Sequence, residues 1–140
     1  MTIREARDSD AVAIASLLGE LGFPTDAAAV PGRLKRMRAE GGQWTLVAER
    51  GGQVLGTATV MVRHMLSRDA PSGRVTSVVV SEAARSQGIG GALLARAEQI
   101  CREAGCGALE VTSAEHRTRA HEFYLRLGFE ERRKRFIKVL

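Results

Sequence analysis

The sequence predicts a single α/β (α+β) domain with a central, mixed, mostly antiparallel sheet and flanking helices. Three observations lead to this fold class. The chain has 140 residues, enough for one domain with one core of mixed structure. Segments with helical spacing of apolar residues alternate with short apolar strands in the order β-α-α-β-β-β-α-β-α-β. One strand–helix–strand unit, covering residues 75–112, requires two parallel strands, and we expect it in the middle of the sheet.

The N-terminal segment predicts a strand followed by a helix. Thr2–Ala6 is a short strand, and Asp8 or Ser9 caps a helix that runs to Leu21. The breaker sequence Gly22-Phe23-Pro24 ends that helix. The apolar residues that follow the helical period, and so mark its buried face, are Val12, Ile14, Leu17, Leu18 and Leu21.

The next segment predicts a second helix and a β-hairpin. Asp26–Glu40 is helical, and Pro31 starts or interrupts it. Trp44–Glu49 and Val54–Arg63 are strands, and Arg50-Gly51-Gly52-Gln53 between them is typical of a hairpin turn. The hairpin makes these two strands antiparallel neighbours.

The C-terminal half predicts the parallel unit and one further helix. A loop over Met65–Gly73 leads into the strand Val75–Val80, which is followed by a helix over Gly88–Glu103. One face of this helix carries the apolar residues Ile89, Leu93, Leu94, Ala97 and Ile100. The remaining expected elements are a strand over Ala108–Thr112, a helix over Arg117–Leu127 and a last strand over Arg135–Leu140.

Composition restricts the function classes. The net charge of +5 and the pI near 10.0 suit an anionic ligand. Aromatic residues make up only 4% of the chain, which argues against nucleic acid as the partner. The densest basic run, Arg132–Arg135, is interpreted first as the solvated end of the last strand and second as a phosphate-binding patch. No apolar run is long enough to span a membrane, so no membrane partner is expected.

The cysteines and the N-terminus indicate a reducing compartment. Cys101 and Cys106 are expected to be reduced thiols in the core, because one lies on a helix and the other just past its end. No second Cys/His pair stands at ligand spacing, so no metal site is expected. Residues Met1–Glu5 lack the apolar stretch of a signal peptide, and we expect a cytoplasmic protein.

The stretch Arg85-Ser86-Gln87-Gly88-Ile89-Gly90-Gly91 is the strongest functional signal in the chain. It joins the strand Val75–Val80 to a helix, where unpaired helix N–H groups, the helix dipole and an arginine favour a diphosphate. A P-loop is excluded because Gly90 is not followed by Lys-Ser/Thr. A dinucleotide fingerprint is excluded because position 93 is Leu93 and not glycine. Glycines that serve only close packing at a helix start remain the alternative.

The same turn resembles the Gln/Arg-x-x-Gly-x-Gly/Ala signature of the GNAT superfamily of acyl-CoA-dependent N-acetyltransferases. A later stretch, Arg117–Phe129, is similar to the superfamily's second motif, a helix ending in tyrosine and then Gly-Phe. The element order also matches, so the resemblance covers essentially the whole chain as one N-acetyltransferase domain, residues 1–140. Within the superfamily, the second stretch and the Arg-Phe-x-Lys-x-Leu ending look most like the aminoalkylphosphonate and related small-amine acetyltransferases.

The resemblance implies acetyl-CoA as co-substrate and assigns its contacts. The strand before the turn would pair through its main chain with the pantetheine arm, and the turn would hold the pyrophosphate. Many relatives have an Asn after the following strand, whereas this chain offers Ser113 for that hydrogen bond. The implied cofactor-binding residues are Val78, Val79, Val80, Arg85, Ser86, Gln87, Gly88, Ile89, Gly90, Gly91 and Ser113.

The resemblance also implies direct attack of an amine on the acetyl group, with Tyr124 as the general acid. Tyr124 is the only tyrosine in the chain, and a phenol with a pKa of about 10 can protonate a departing thiolate. The identity of the base is open. Many relatives carry a Glu near Ser77, and this serine can hold a water in its place. His64 is the first alternative base, and Glu110 is the next.

Three function classes therefore remain open. The leading one is an enzyme that acetylates the primary amine of a small molecule. The second is a GNAT enzyme acting on a protein or tRNA-borne amine, and the third is a CoA-binding module without catalysis, which the serine at position 77 motivates. A homodimer is compatible with the sequence. Basic residues in the segments expected to line the acceptor site suggest an acidic amine; they are Arg33, Lys35, Arg36 and Arg68.

Overall fold

Nine regular elements follow one another in the computed structural model of the chain, which describes residues 1–112, 118–132 and 136–140. The strands are β1 (Thr2–Glu5), β2 (Gln43–Arg50), β3 (Gln53–Arg63), β4 (Ser72–Val80) and β5 (Leu109–Val111). The helices are α1 (Ala11–Leu21), α2 (Val30–Glu40), α3 (Ile89–Glu103) and α4 (Thr118–Arg126). Short 3-10 turns at Asp8–Asp10, Ala27–Ala29 and Glu82–Ala84 precede α1, α2 and α3. The predicted succession of elements is confirmed as far as α4.

The five strands form one sheet in the order β1-β2-β3-β4-β5. The first three pairings are antiparallel, whereas β4 and β5 are parallel, with Gly73 opposite Leu109 and Val75 opposite Val111. The predicted mixed, mostly antiparallel sheet is therefore confirmed. The parallel unit, however, lies at the β5 edge of the described sheet and not in its middle.

The predicted last strand does not form in the described residues 136–140. The side chains of Phe136 and Val139 are each 90% exposed, so the apolar groups that a neighbouring strand would cover face outward. A short apolar run indicates strand propensity but not whether a sheet edge is there to pair with it. Arg132 in the basic run forms an exposed ion pair with Glu130 at 2.6 Å, while residues 133–135 lie outside the described residues.

Helices α1 and α2 cover one face of the sheet. The buried residues between them and the sheet are Ala6, Ile14, Ala15, Val30, Leu34 and Val47. The predicted stripe on α1 is confirmed for Ile14 and Leu17 but is wrong for Val12, which is 74% exposed. At 100° per residue, Val12 falls outside the face that Ile14 and Ala15 share.

Helix α3 covers the other face with the apolar stripe that the sequence predicts. Ile89, Leu93, Leu94, Ala97 and Ile100 are all buried there, together with strand residues such as Ala58 and Val60. Gly56 on β3 makes this close packing feasible, because a Cβ on it would lie 3.1 Å from Ile89 Cγ2 and from Leu93 Cδ1. A side chain at position 56 would therefore push α3 away from the sheet.

Both cysteines are free thiols at the C-terminal end of α3, as predicted. Cys101 is buried in the core and Cys106 is half-buried against it. Burial, reinforced by the neighbouring Cys106 thiol, raises the pKa of the Cys101 thiol to about 11. In the part of the chain that the structure describes, no helix has the length and apolar character needed to cross a membrane.

A network of ion pairs joins the start of α1 to the edge of the sheet. The buried carboxylate of Asp10 accepts hydrogen bonds from Arg4 Nη1 (2.8 Å), Arg4 Nη2 (2.9 Å) and the Arg7 amide (2.7 Å). Arg4 Nε also donates to Glu49 on β2 at 2.7 Å. Asp10 is therefore the N-cap residue of α1, where the sequence predicted Asp8 or Ser9, but its carboxylate accepts hydrogen bonds from Arg4 and from the Arg7 amide and not from an amide of α1. These bonds to Arg4, more than any other cause, lower the pKa of Asp10.

Replacing Asp10 with Asn should destabilise the fold at neutral pH. We expect a loss of about 2 kcal/mol in the free energy of unfolding at pH 7, since Arg4 is left without its main counter-ion. The carboxyl of an unfolded Asp has a pKa of about 3.9, and in the folded protein the pKa of Asp10 is lower. The stabilisation is therefore complete above about pH 5 and is lost as the pH falls through the folded pKa. Urea unfolding at pH 7 and at acidic pH measures both effects.

Asp8→Asn is the matched control for this change. In the described part of the chain the Asp8 carboxylate makes one exposed contact, with Arg38 at 3.8 Å, so its replacement should change stability by less than about 0.5 kcal/mol. A gap between wild type and Asp10→Asn that stays constant from pH 7 to pH 2 would contradict the assignment of the stabilisation to the carboxylate.

Candidate functional site

The predicted glycine turn connects the end of β4 to the start of α3. The 3-10 turn Glu82–Ala84 leads into it, and Gly88 is the N-cap of α3 with φ +80°. The first helical hydrogen bond runs from the Ala92 amide to the Gly88 carbonyl at 3.1 Å. The amides of residues 89–91 therefore have no acceptor within the helix, and they lie at the positive end of its dipole. This arrangement is suited to an anion.

Ser86 in this turn has an unusual backbone. Its φ of +64° is the single positive value for a non-glycine residue within the described ranges. Left-handed conformations cost a residue with a side chain free energy, and they persist at sites where the surrounding structure imposes them. With Gly88, Ser86 turns the main chain twice within three residues, and the chain curves around the amides at the start of α3.

The three glycines of the turn have different structural roles. A Cβ on Gly90 would lie 3.2 Å from Phe123 Cζ and 3.6 Å from Val80 Cγ2, so Gly90 lets α4 pack on the first turn of α3. Gly88 and Gly91 have open space around them, and Gly88 needs its positive φ. The packing alternative for the glycines is thus correct for Gly90, but packing does not explain Gly91.

Two arginines lie beside the turn. Arg85 Nε donates to the Val80 carbonyl at 3.4 Å, and Arg50 Nη1 donates to Gln87 Oε1 at 2.7 Å. Sequence reasoning missed Arg50, since it is 37 positions away from Gln87 and was interpreted only as part of the hairpin turn. The register that pairs Gly56 with Val80 is what brings the hairpin to this end of β4. No local signal in the sequence reveals it.

Strand β4 has two different edges. Along one edge it pairs with β3 from Ser72 to Val80, while along the other it pairs with β5 only at residues 73–75. On the β5 side, the main chain of Val78, Val79 and Val80 has no strand partner among residues 1–112, 118–132 and 136–140. An extended ligand can therefore add to this edge as a strand would, in direct continuation of the glycine turn.

A β-bulge interrupts β4 near its centre. Ser77 pairs with Thr59 but Val75 pairs with Val60, so Thr76 is the extra residue. Thr76 Oγ1 contacts the Thr59 carbonyl at 3.5 Å, and Thr59 Oγ1 lies 3.5 Å from Thr45 Oγ1. The register places the hydroxyls of Thr45, Thr59 and Ser77 in a row on the face that α1 and α2 cover. Ser77 is half-buried in this row.

A cleft opens at one end of this hydroxyl row. Its volume is about 220 Å³, and it lies between α2 and the strands β1 and β2. Thr45 lines it together with Arg38 and Gln43. The cleft is on the α1/α2 face of the sheet, whereas the glycine turn begins the helix that covers the other face. The cleft and the glycine turn therefore lie toward opposite faces of the sheet.

Tyr124 lies on α4, where the second motif predicts a helix. Its half-buried ring is 5.5 Å from the ring of Phe123 and 5.8 Å from the ring of Phe129, measured between centroids. Gly128 adopts φ +91°, and the Phe129 amide donates to the Tyr124 carbonyl at 3.1 Å. This is a helix C-terminal motif in which the residue after the glycine folds back on the last turn. The Gly-Phe pair therefore fixes the end of α4 on which Tyr124 lies.

The candidate bases and basic residues are distributed over the surface. His64 is exposed just past Arg63, at the end of β3 opposite the glycine turn. Glu110 is exposed on β5 opposite Arg74. Ser113 lies outside the described residues. Exposed side chains also belong to Arg33, Lys35, Arg36 and Arg68. The described residues contain no group of three or more His, Cys, Asp or Glu that could bind a metal ion.

Comparison with known proteins identifies relatives along most of the chain. Residues 14–129 match the model of the acetyltransferase (GNAT) family. The aminoglycoside N(6')-acetyltransferase type 1 of Stenotrophomonas maltophilia is 33% identical over 134 residues, which is 93% of this chain and 86% of that protein. The aminoalkylphosphonate N-acetyltransferase of Salmonella typhimurium is 36% identical over 94 residues. That match covers 67% of this chain but 61% of the relative, less than two thirds of its length.

A solved structure agrees with the fold over the full length. The putative acetyltransferase from Agrobacterium tumefaciens superposes with a TM-score of 0.89 at 25% identity, covering 100% of both chains.

Alanine at positions 90 and 91 should separate packing from backbone effects in the glycine turn. Gly91→Ala should raise the free energy of unfolding by about 0.5–1 kcal/mol, because alanine favours the helix and meets open space. Gly90→Ala should lose most of that gain, since Phe123 must move by a few tenths of an ångström. Thermal unfolding measures the stabilities, and the NMR signal of the single tyrosine, Tyr124, reports any shift of α4. Equal stabilisation by the two substitutions with an unmoved tyrosine signal would contradict the packing role of Gly90.

Proposed function

This chain belongs to the GNAT family of acetyltransferases, and from that premise we propose that it acetylates the primary amine of a small molecule by direct attack on acetyl-CoA. In this proposal Tyr124 protonates the departing CoA thiolate. The observation that carries the proposal is the open edge of β4, which runs directly into the glycine turn. The open edge would suit the extended, amide-containing arm of CoA, and the glycine turn would suit its diphosphate.

The donor would bind along β4 and the turn. The main-chain amides and carbonyls of Val78 and Val80, which face away from β3, can pair with the pantetheine arm as a strand pairs at a sheet edge, while Val79 between them turns its own groups toward Thr57. The pyrophosphate would lie on the amides of residues 87–91, beside Arg85 and Ser86. Arg50 already donates to Gln87 at 2.7 Å, so it stands close enough to add a second cation. If Ser113 makes the hydrogen bond supplied by asparagine in relatives, it closes the other side of the arm.

The acetyl carbonyl develops negative charge when the amine attacks. A backbone N–H near Val79 or Val80 would donate to that oxygen, and a preorganised donor of this kind stabilises the transition state without reorganisation. The charge then passes to the sulfur as the C–S bond breaks.

Tyr124 would supply the proton to the sulfur. A thiol has a pKa of about 8.5 and a phenol a pKa of about 10, so the transfer needs close positioning more than a strong acid. The packing of α4 would position Tyr124, since the neighbouring Phe123 contacts Gly90 in the first turn of α3. The same helix turn that would hold the pyrophosphate therefore also fixes the general acid.

The acceptor amine must lose a proton on the other side of the sheet. Ser77, in its row with Thr59 and Thr45, can hold a water that carries this proton away toward the cleft beside α2. His64 is the alternative base, and it would need to reach the bulge from the exposed end of β3. Glu110 on β5 is the next alternative.

Tyr124→Phe tests the general acid. We expect kcat to fall by about 10²-fold, because the ring remains but the proton donor is lost. The KM for acetyl-CoA should change little, and the alkaline limb of the pH–rate profile should disappear. Binding of CoA by calorimetry is the control that the donor site stays intact. An unchanged kcat at all pH values would eliminate Tyr124 from the mechanism.

The reaction itself is tested by release of free thiol from acetyl-CoA in the presence of different acceptors. The panel contains an aminoalkylphosphonate, an aminoglycoside, a lysine peptide and tRNA carrying an amino acid. Transfer to one of the small amines supports the proposal. Transfer confined to the peptide or tRNA replaces it with a macromolecular acceptor, and CoA binding without any transfer indicates a binding module.

Arg50→Met tests the cation that sequence reasoning missed. We expect the KM for acetyl-CoA to rise about tenfold, equivalent to about 1.4 kcal/mol, with kcat nearly unchanged. Arg63→Met is the matched control on the same hairpin, because Arg63 lies at the opposite end of β3, where it makes exposed contacts with Met61 Sδ at 3.0 Å and with Glu40 at 3.8 Å. An equal rise in the KM for acetyl-CoA in both variants would mean that the net charge of the protein, and not the position of Arg50, affects acetyl-CoA binding.

A further inference from the structure

We infer that Arg74 on β4 binds an acidic group of the acceptor, so that the preferred substrate is a small amine that also carries a phosphonate, phosphate or carboxylate. This inference rests on the proposed function and names the acceptor class for it. It starts from a polar group without a partner. Arg74 Nε is buried and makes no hydrogen bond among the described residues.

The position of Arg74 connects it to the reaction centre. Val75 next to it is buried against α3, so the alternation of β4 turns Arg74 toward the α1/α2 face. Ser77, three residues further along, lies on that same face because the extra residue Thr76 shifts the alternation. Arg74 is therefore on the side from which the acceptor would approach, and the donor site lies toward the other end of β4.

Arg74 has donors to offer a ligand. Its Nη2 donates to Thr112 Oγ1 at 3.0 Å, which is the one hydrogen bond that the described residues give to its guanidinium. Glu110 lies opposite it on β5, yet no carboxylate oxygen of the described residues comes within 4 Å of Arg74. A guanidinium with a buried, unmatched N–H and no counter-ion favours an anion that supplies both.

The geometry restricts the size of this anion-bearing amine. At about 3.3 Å per residue, Arg74 and Ser77 are separated by roughly 10 Å along the strand, and an extended arginine side chain covers more than half of that distance. The acid and the amine of the acceptor should then be only a few bonds apart. An arginine fork binds phosphonate or carboxylate through two parallel hydrogen bonds, which also orients the amine toward the bulge.

The test compares two acceptors of equal length in wild type and Arg74→Gln. The acidic acceptor is 2-aminoethylphosphonate and the neutral one is propylamine. Arg74→Gln should lower kcat/KM for the phosphonate by roughly 100-fold and leave that for propylamine within twofold, because only the acidic group loses its partner. The KM for acetyl-CoA should stay constant. Arg74→Lys should restore part of the preference, since it keeps the charge without the fork.

Arg102→Gln is the matched control, because Arg102 is an exposed cation near the end of α3, on the opposite face of the sheet, where it contacts Glu98 at 3.6 Å, and its replacement should alter neither acceptor. Equal losses for both acceptors in Arg74→Gln would show that Arg74 only joins β4 to β5 through Thr112, and would overturn the inference. A wild type that acetylates propylamine as well as the phosphonate would also overturn it while leaving the proposed function intact. A wild type that binds acetyl-CoA but acetylates no amine would remove the proposed function and this inference together.

Unfolding of the variant is separated from loss of the contact by a direct measurement. Calorimetric binding of 2-aminoethylphosphonate to the CoA-bound protein should weaken by the same factor in Arg74→Gln, while the melting temperature and CoA binding stay near those of wild type. Unchanged phosphonate binding in a folded variant would contradict the role of Arg74.

Discussion

The close approach of α3 to the end of β4 is the constraint on which the rest of the site depends. Two residues without side chains make it feasible. Gly56 lets Ile89 and Leu93 reach the sheet, and Gly90 lets Phe123 of α4 reach the first turn of α3. Because protein interiors are packed without spare volume, a methyl group at either position must displace a neighbour. This contact positions the start of α3 with its unpaired amides beside the open edge of β4. It also positions α4, which carries Tyr124.

Strand β4 combines a structural and a functional role through its main chain and side chains. The side chains of Val75 and Val79 are buried, whereas the backbone beyond residue 75 has no strand partner on the β5 side among the described residues. The bulge at Thr76 then sets which hydroxyls face the α1/α2 side. One strand can contribute side chains to the core and an open backbone edge, because its backbone hydrogen bonds lie in the plane of the sheet while its side chains alternate above and below it. Core packing of the side chains thus holds the open edge of β4 in place.

Local patterns determined much of the fold and part of the site. The apolar stripe of α3 repeats at the helical period over about three turns, so one face of the helix carries all of its residues and turns toward the sheet. The glycine turn is local too, since a positive φ at Gly88 and free amides at a helix start need only a few consecutive residues. The Gly128-Phe129 pair likewise fixes the end of α4 through contacts within six residues. Such features were predictable because their causes lie within one or two turns of chain.

Only the tertiary structure decided the features that depend on distant partners. Val12 is exposed although it is apolar, because the rotation of α1 is set by the sheet and not by its own stripe. Asp10 forms its ion pair with Arg4 because β1 brings Arg4 beside it. Arg50 lies close to Gln87 because of the register in which β2, β3 and β4 pair. The role inferred for Arg74 depends on the burial of its Nε, which has no partner within residues 1–112, 118–132 and 136–140. The sequence by itself thus determined the elements as far as α4, the turn and the candidate acid, while the tertiary structure decided which charges meet, because those contacts join residues that no local pattern links.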